Sequence, residues 1–219
     1  MEQTILTKKQ QLLLILLSQK KDITQHFYLS GGTALAEYYL KHRYSEDLDF
    51  FSFDEFDPMA IQIVLKTIKK QVSIETIDYQ QSFNRNLFFL HVGSDVIKAE
   101  FTYYPFAQIE KPKEIDTLKI DSLIDIAANK VFTIYQNPRS RDFIDLYLII
   151  KERKWTFDEL KKKARIKFDT HIDPLRLAQQ LLKAREVKDY PRMLIDLEND
   201  EWKDFWIKQA MNLKKEVLQ

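Results

Sequence analysis

A chain of 219 residues is long enough for one large domain or two smaller ones, and its 45% hydrophobic and 31% charged content is that of an ordinary globular protein. The 34 Lys and Arg against 33 Asp and Glu leave a net charge of +1, so bulk charge does not advertise a nucleic-acid binder, although it leaves room for a local basic patch. The lack of cysteine excludes disulfides, thiolate metal sites and cysteine nucleophiles, and it fits a reducing compartment.

The first apolar run, Leu12 to Leu17, is far short of the about 20 residues that span a bilayer, and no small-residue cleavage site accompanies it. It is expected to be a helix packed on the body of a cytoplasmic protein with no membrane partner. Phe27-Tyr28-Leu29 reads as a short strand that feeds Ser30-Gly31-Gly32-Thr33. A helix is expected from Thr33 to His42, with Thr33 as its cap. Asp47 to Phe53 alternates and is rich in Phe, so it reads as a strand. Asp57-Pro58 opens a helix that carries Ile61, Val64, Leu65 and Ile68 on one face. Ser73 to Tyr79, Leu87 to Val92 and Val96 to Tyr103 read as three more strands. Beyond Pro112 the period turns helical, over 121–135, 139–151, 157–165, 174–185 and 201–217. The pattern predicts an α+β protein, with a catalytic domain in residues 1–110 and a helical domain in residues 111–219.

Two of the three glycines in the chain are Gly31 and Gly32, between a strand and a helix start. Glycine permits positive φ and has no Cβ in the way, and successive N–H groups at such a turn make an anion nest. Ser30 and Thr33 add hydroxyls for a phosphate. The same residues also make a tight turn that binds nothing. What favours a site is the downstream pair Asp47 and Asp49. Two residues apart on a strand, they point to one face, while Leu48 and Phe50 point to the other. Paired carboxylates repel each other unless a cation sits between them, and oxygen-only ligation suits Mg²⁺ or Mn²⁺. Glu100, which alternates with Ile97, Ala99 and Phe101, is the candidate third ligand for a two-metal site. Alternating acids also mark the wet side of a strand. The flanking glycines, Arg43-x-Ser45 and Phe50-Phe51 tip the balance towards chemistry.

Lys130 borders an apolar helix face, from which it either snorkels to water or reaches a triphosphate. Asp142 and Asp145 share a helix face, where an acid in the first turn is also favoured by the helix dipole. The lysine-rich stretch 161–165 suits a solvated helix face, or a grip on an RNA backbone. The four histidines show no ligand spacing.

The string Gly31-Gly32-Thr33-Ala34-Leu35 through His42-Arg43-x-Ser45-x-Asp47-Leu48-Asp49-Phe50 resembles the AbiEii/AbiGii-type nucleotidyltransferase toxins, a branch of the DNA polymerase β-like superfamily. Lys130 and Arg141-Asp142-Phe143-x-Asp145-Leu146-Tyr147 are similar to that family's second block. The resemblance implies a polymerase β-like sheet with flanking helices, followed by a helical domain that completes the active-site cleft. It implies a nucleoside triphosphate as substrate, a divalent metal and a cognate antitoxin. Asp47 and Asp49 would be metal ligands. Gly31, Gly32, Thr33, Arg43 and Ser45 would hold phosphates, Lys130 would contact the nucleotide, and Asp142 or Asp145 would be a catalytic or structural acid. Glu100 stands where such enzymes more often carry Asp. The activity implied is transfer of a nucleoside monophosphate from an NTP to an acceptor hydroxyl, with an RNA 3′ end, that of tRNA first, as the expected acceptor. The alternatives are a protein or small-molecule hydroxyl, or a nucleotide-binding module without turnover.

Overall fold

Helix α1 (Lys8–Ser18) begins at a reciprocal cap, in which Thr7 and Gln10 satisfy each other's backbone N–H groups, and it buries Leu13, Leu14, Leu16 and Leu17. The computed structural model describes residues 4–197 and 200–217. A short helix, α2 (Lys21–Thr24), leads to β1 (Tyr28–Ser30). Next come α3 (Gly31–Leu35), a π-helical turn (Ala36–Leu40), β2 (Asp47–Ser52), α4 (Pro58–Val72), β3 (Thr76–Ser82), β4 (Arg85–Val92) and β5 (Asp95–Tyr103). Two three-residue strands follow, β6 (Lys113–Ile115) and β7 (Leu118–Ile120). The rest is helical: α5 (Leu123–Gln136), α6 (Ser140–Arg153), α7 (Phe157–Lys167), α8 (Pro174–Leu182) and α9 (Glu201–Val217). Among the described residues, no helix is long and apolar enough to cross a membrane.

The chain forms two compact units, Met1–Phe106 with Lys111–Ser122, and Ala107–Glu110 with Leu123–Gln219. This moves the expected division at 110/111. Residues 111–122 return to the first unit because β6 and β7 extend its sheet. Strands of three residues are too short to show a period.

The first unit is a seven-stranded mixed sheet in the order β3-β4-β5-β2-β1-β7-β6. Strand β2 lies antiparallel to β1 and parallel to β5. One face is apolar, and Leu29, Leu48, Phe50, Phe88, Leu90, Ala99 and Phe101 are fully buried on it. Phe50 stacks on Phe101 at 4.9 Å, and Phe27 and Phe88 meet Phe101 edge-on. Each such side chain contributes roughly 1.5–3 kcal/mol on burial. Helix α4 starts as its sequence predicts, with Asp57 capping Met59 N and Pro58 in the first turn, and it buries Ile61, Val64, Leu65 and Ile68. Strand β3 starts later than expected, because Ser73 ends α4 in the left-handed conformation.

Among its described residues the second unit is helical apart from turns, loops and one bridge residue, Met193. Helix α9 buries Trp202, Trp206, Ile207, Ala210 and Leu213, and the Trp206 indole donates to Phe143 O at 3.1 Å. Lys167 and Asp125 form a fully buried ion pair at 2.6 Å. Asp125 also accepts from the backbone N–H groups of Ile109 and Glu110, so the crossover segment is fastened to α5.

Candidate active site

Strand β1 ends at Ser30, and the chain enters α3 directly through Gly31 at φ +70°. Only glycine takes that conformation without cost. The helix therefore starts two residues earlier than expected. Thr33 is not its cap, since that position falls to Ser30, which makes no side-chain cap bond. Thr33 is instead buried within the first turn, and its hydroxyl donates to the Asp47 carbonyl. Ser30 is also committed, as its Oγ donates to Asp121 Oδ2 at 2.6 Å. Asp121 follows β7, which pairs with β1 through Leu29 and Ile120. A strand that the sequence did not reveal thus braces the glycine turn. The expected helix to His42 becomes a π turn closed by Lys41 at φ 50°, and Tyr39 reaches from it to the Asp121 carbonyl at 2.7 Å.

The two halves of the first motif meet at the glycines. A Cβ on Gly31 would collide with the Asp49 carboxylate, with Asp49 Cγ at 3.1 Å. A Cβ on Gly32 would meet the Arg43 guanidinium, with Ser45 Oγ at 3.2 Å. The turn therefore needs glycine because Asp49, Arg43 and Ser45 fill the space that side chains would take. Arg43 is buried, and its Nη1 donates to Tyr44 O at 2.9 Å.

Asp47 and Asp49 are half-buried on one face of β2 between the buried Leu48 and Phe50, as the alternation predicts. Strand β5 sets Lys98 opposite Asp47 and Glu100 opposite Asp49. Lys98 Nζ reaches Asp47 Oδ2 at 3.0 Å. Arg85 grips both Glu100 oxygens at 2.6 Å, and the Thr102 hydroxyl donates to Oε1 at 2.9 Å. Burial alone would raise the Glu100 pKa. The Arg85 bonds and charge, with Thr102 and Lys98, outweigh it and hold Glu100 below its ordinary value. Glu100 therefore lies beside Asp49 but is held by Arg85. Among the described residues, no three Asp, Glu or His side chains are arranged to hold a metal. The hard oxygens of Asp47 and Asp49 fit Mg²⁺ or Mn²⁺, whereas Glu100 does not fit as a third ligand in this arrangement. Sequence reasoning missed Arg85 and Lys98, since their roles depend on strand register.

In the second unit, Lys130 is buried and bonds Asp142 Oδ1 at 2.8 Å and Asp145 Oδ2 at 2.7 Å. Asp142 also caps the start of α6 by accepting from Arg139 N and Nε. Burial pushes the Asp142 pKa up, but Lys130 and Arg139 outweigh it and hold the carboxyl below its ordinary value. The residues of the second motif thus join α5 to α6. A separate cavity of about 660 Å³ is lined by Lys162, Arg165, Ile166, Asp169, Thr170 and His171, and none of these belongs to either motif.

Residues 15–213 match the family described as nucleotidyl transferase AbiEii toxin of type IV toxin-antitoxin systems. The chain belongs to the AbiEii nucleotidyltransferase toxin family. An uncharacterized protein of Aquifex aeolicus is 35% identical over 152 residues, covering 67% of this chain and 68% of its own. The nucleotidyltransferase toxin MenT4 of Mycobacterium tuberculosis superposes with TM-score 0.58 at 18% identity, over 94% of this chain and 81% of MenT4. JHP933 of Helicobacter pylori gives 0.59 at 19% identity, over 97% and 94%. The fold is that of the polymerase β-like nucleotidyltransferases. As a member of the AbiEii family this chain is a nucleotidyltransferase, an enzyme that takes an NTP and transfers its NMP.

Proposed function

We propose that this AbiEii-family chain transfers an NMP to the 3′-hydroxyl of an RNA, tRNA first, and that it acts in the cytoplasm as the toxin partner of a cognate antitoxin. The observation that supports this reading is the meeting of Asp49 with Gly31, and of Arg43 and Ser45 with Gly32, which brings a carboxylate and a guanidinium to one turn. Gly31 and Gly32 make room for Asp49 and for Arg43 with Ser45, so that the Ser45 hydroxyl donates to the triphosphate and the Arg43 guanidinium offsets its charge. Asp47 and Asp49 hold a divalent cation, Mg²⁺ or Mn²⁺. When bound, that ion neutralises charge at the reacting phosphate. The acceptor hydroxyl gives its proton to water as its oxygen bonds to the α-phosphorus, the bond from that phosphorus to the bridging oxygen breaks, and pyrophosphate leaves with Arg43 stabilising the charge it gains. Thr33 contributes by fixing Asp47 through its main chain.

Lys130, bonded to Asp142 and Asp145 at 2.8 and 2.7 Å, ties α5 to α6 within the second unit. Asp142 and Asp145 serve as the acids that position Lys130. For the acceptor, the support is the cavity lined by Lys162 and Arg165 with a single carboxylate, Asp169, two cations against one acid that suit a phosphate backbone despite the near-neutral total.

The test is incubation with α-labelled NTPs, Mg²⁺ and total RNA. Label is expected in RNA with wild type and not with Asp47→Asn. Label that migrates with protein or with a small polar product would overturn the RNA acceptor.

A further inference from the structure

Two-metal enzymes clamp a pair of divalent ions about 3.5–4 Å apart. Such a pair needs more carboxylate than Asp47 and Asp49 supply. On the sheet face that carries those two acids, β5 and β4 offer cations instead, Lys98 and Arg85. Glu100 stands directly opposite Asp49 in the parallel β2–β5 pairing, where a third ligand belongs. Three of the about four lone-pair sites of that carboxylate are taken by hydrogen bonds. Arg85 Nε and Nη2 take one oxygen each at 2.6 Å, Thr102 donates to Oε1 at 2.9 Å, and Lys98 Nζ lies 3.7 Å from Oε2. A bidentate Arg–carboxylate pair uses the lone pairs that a metal would use. Lys98 also bonds Asp47 Oδ2 at 3.0 Å, on the side facing β5. A second dication placed here would have to displace Arg85 from both oxygens and sit beside two fixed positive charges, which repel it.

We infer that this chain, if it transfers nucleotides at Asp47 and Asp49 as proposed above, holds a single divalent cation there, and that Arg85, seated on Glu100, with Lys98 supplies the positive charge for which two-metal enzymes use a second ion. Glu100 is a positioning residue for Arg85 and not a metal ligand. Arg85 is suited to this role. Its side chain is 53% exposed although its partner Glu100 is buried, and Glu100 takes two of the five guanidinium N–H donors. The remaining donors serve an oxyanion of the acceptor. Unlike a lysine, the planar guanidinium can hold Glu100 with one edge and a phosphate with another.

Mn²⁺ titration followed by electron paramagnetic resonance, with a saturating non-hydrolysable NTP analogue and the nucleotide-only signal subtracted, counts the ions directly. One Mn²⁺ per chain is expected for wild type, and one again for Glu100→Gln. Two in wild type, or loss of an ion in Glu100→Gln, overturns the inference but leaves the Asp47–Asp49 site standing. No bound Mn²⁺ in wild type overturns both. The paired variant Arg85→Met with Glu100→Gln leaves no buried carboxylate unpaired. It is expected to keep one Mn²⁺ and the wild-type KM for NTP, and to raise the KM for the acceptor about tenfold, the loss of one charge-assisted bond. An unchanged acceptor KM would overturn the role of Arg85.

Discussion

Gly31→Ala separates the two demands that the structure makes on this turn. The first is conformational. At φ +70° an alanine is held in the left-handed region, which costs about 1–2 kcal/mol. For a chain of this size, at about 2–4 °C per kcal/mol, the melting temperature falls by roughly 2–8 °C. The second is local. The new methyl lands on the Asp49 carboxylate, whose Cγ stands 3.1 Å from the Cβ position, so Asp49 has to move aside. A displacement of about 1 Å in a reacting group can cost about 10²-fold in rate. Gly31→Ala should therefore remain folded at 25 °C, by circular dichroism and thermal melting, and lose about two orders of magnitude in label transfer from NTP. Gly32→Ala is the control. No positive φ applies there, and its Cβ meets the end of the Arg43 side chain and Ser45 Oγ rather than a carboxylate, so the melting temperature should barely move while phosphate binding weakens. A folded Gly31→Ala protein that transfers within threefold of wild type would refute the placement of Asp49 at the reaction.

Lys130→Met leaves Asp142 and Asp145 buried without their cation, and urea unfolding should show a loss of about 3–5 kcal/mol. The Asp142 carboxyl is held below its ordinary 3.8, so its stabilisation is fully present above about pH 4 and is lost as pH falls through the lower folded value. Asp142→Asn should flatten that acid limb of the stability curve. In the basic cavity, Arg165→Glu together with Lys162→Glu should weaken RNA binding and make log K less steep in log salt by about 0.7 per lost contact to single-stranded RNA. NTP binding should be unaffected. Filter binding at several salt concentrations measures both slopes.

The first motif was legible because two independent signals coincide. Glycine is scarce in this chain, so the placing of Gly31 and Gly32 side by side has meaning. Asp47 and Asp49 keep strict alternation with Leu48 and Phe50, which fixes their common face from the period of a strand alone. What failed depends on contacts between distant segments. Glu100 was correctly placed on the face of Asp49, but its partner Arg85 belongs to the antiparallel strand β4, and no local pattern gives the register that brings them together. Lys98 was within reach, since it alternates with Glu100 on the same strand. In the sequence, Lys130 is open between snorkelling to water and reaching a phosphate. The structure seals it between Asp142 and Asp145, and their shared helix face was the available signal. The Asp125–Lys167 pair joins residues 42 apart on different helices, and nothing local marks either as buried.

The account rests on Asp47 and Asp49 carrying nucleotidyl transfer, and one comparison tests that most directly. An NTP labelled at the α-phosphate, and in parallel at the γ-phosphate, is incubated with Mg²⁺, RNA and either wild type or Asp49→Asn. The account predicts α-label, and no γ-label, joined to the RNA 3′ end by wild type, with a loss of at least about 10³-fold in Asp49→Asn. Equal transfer by the two proteins, or transfer of γ-label, would contradict it.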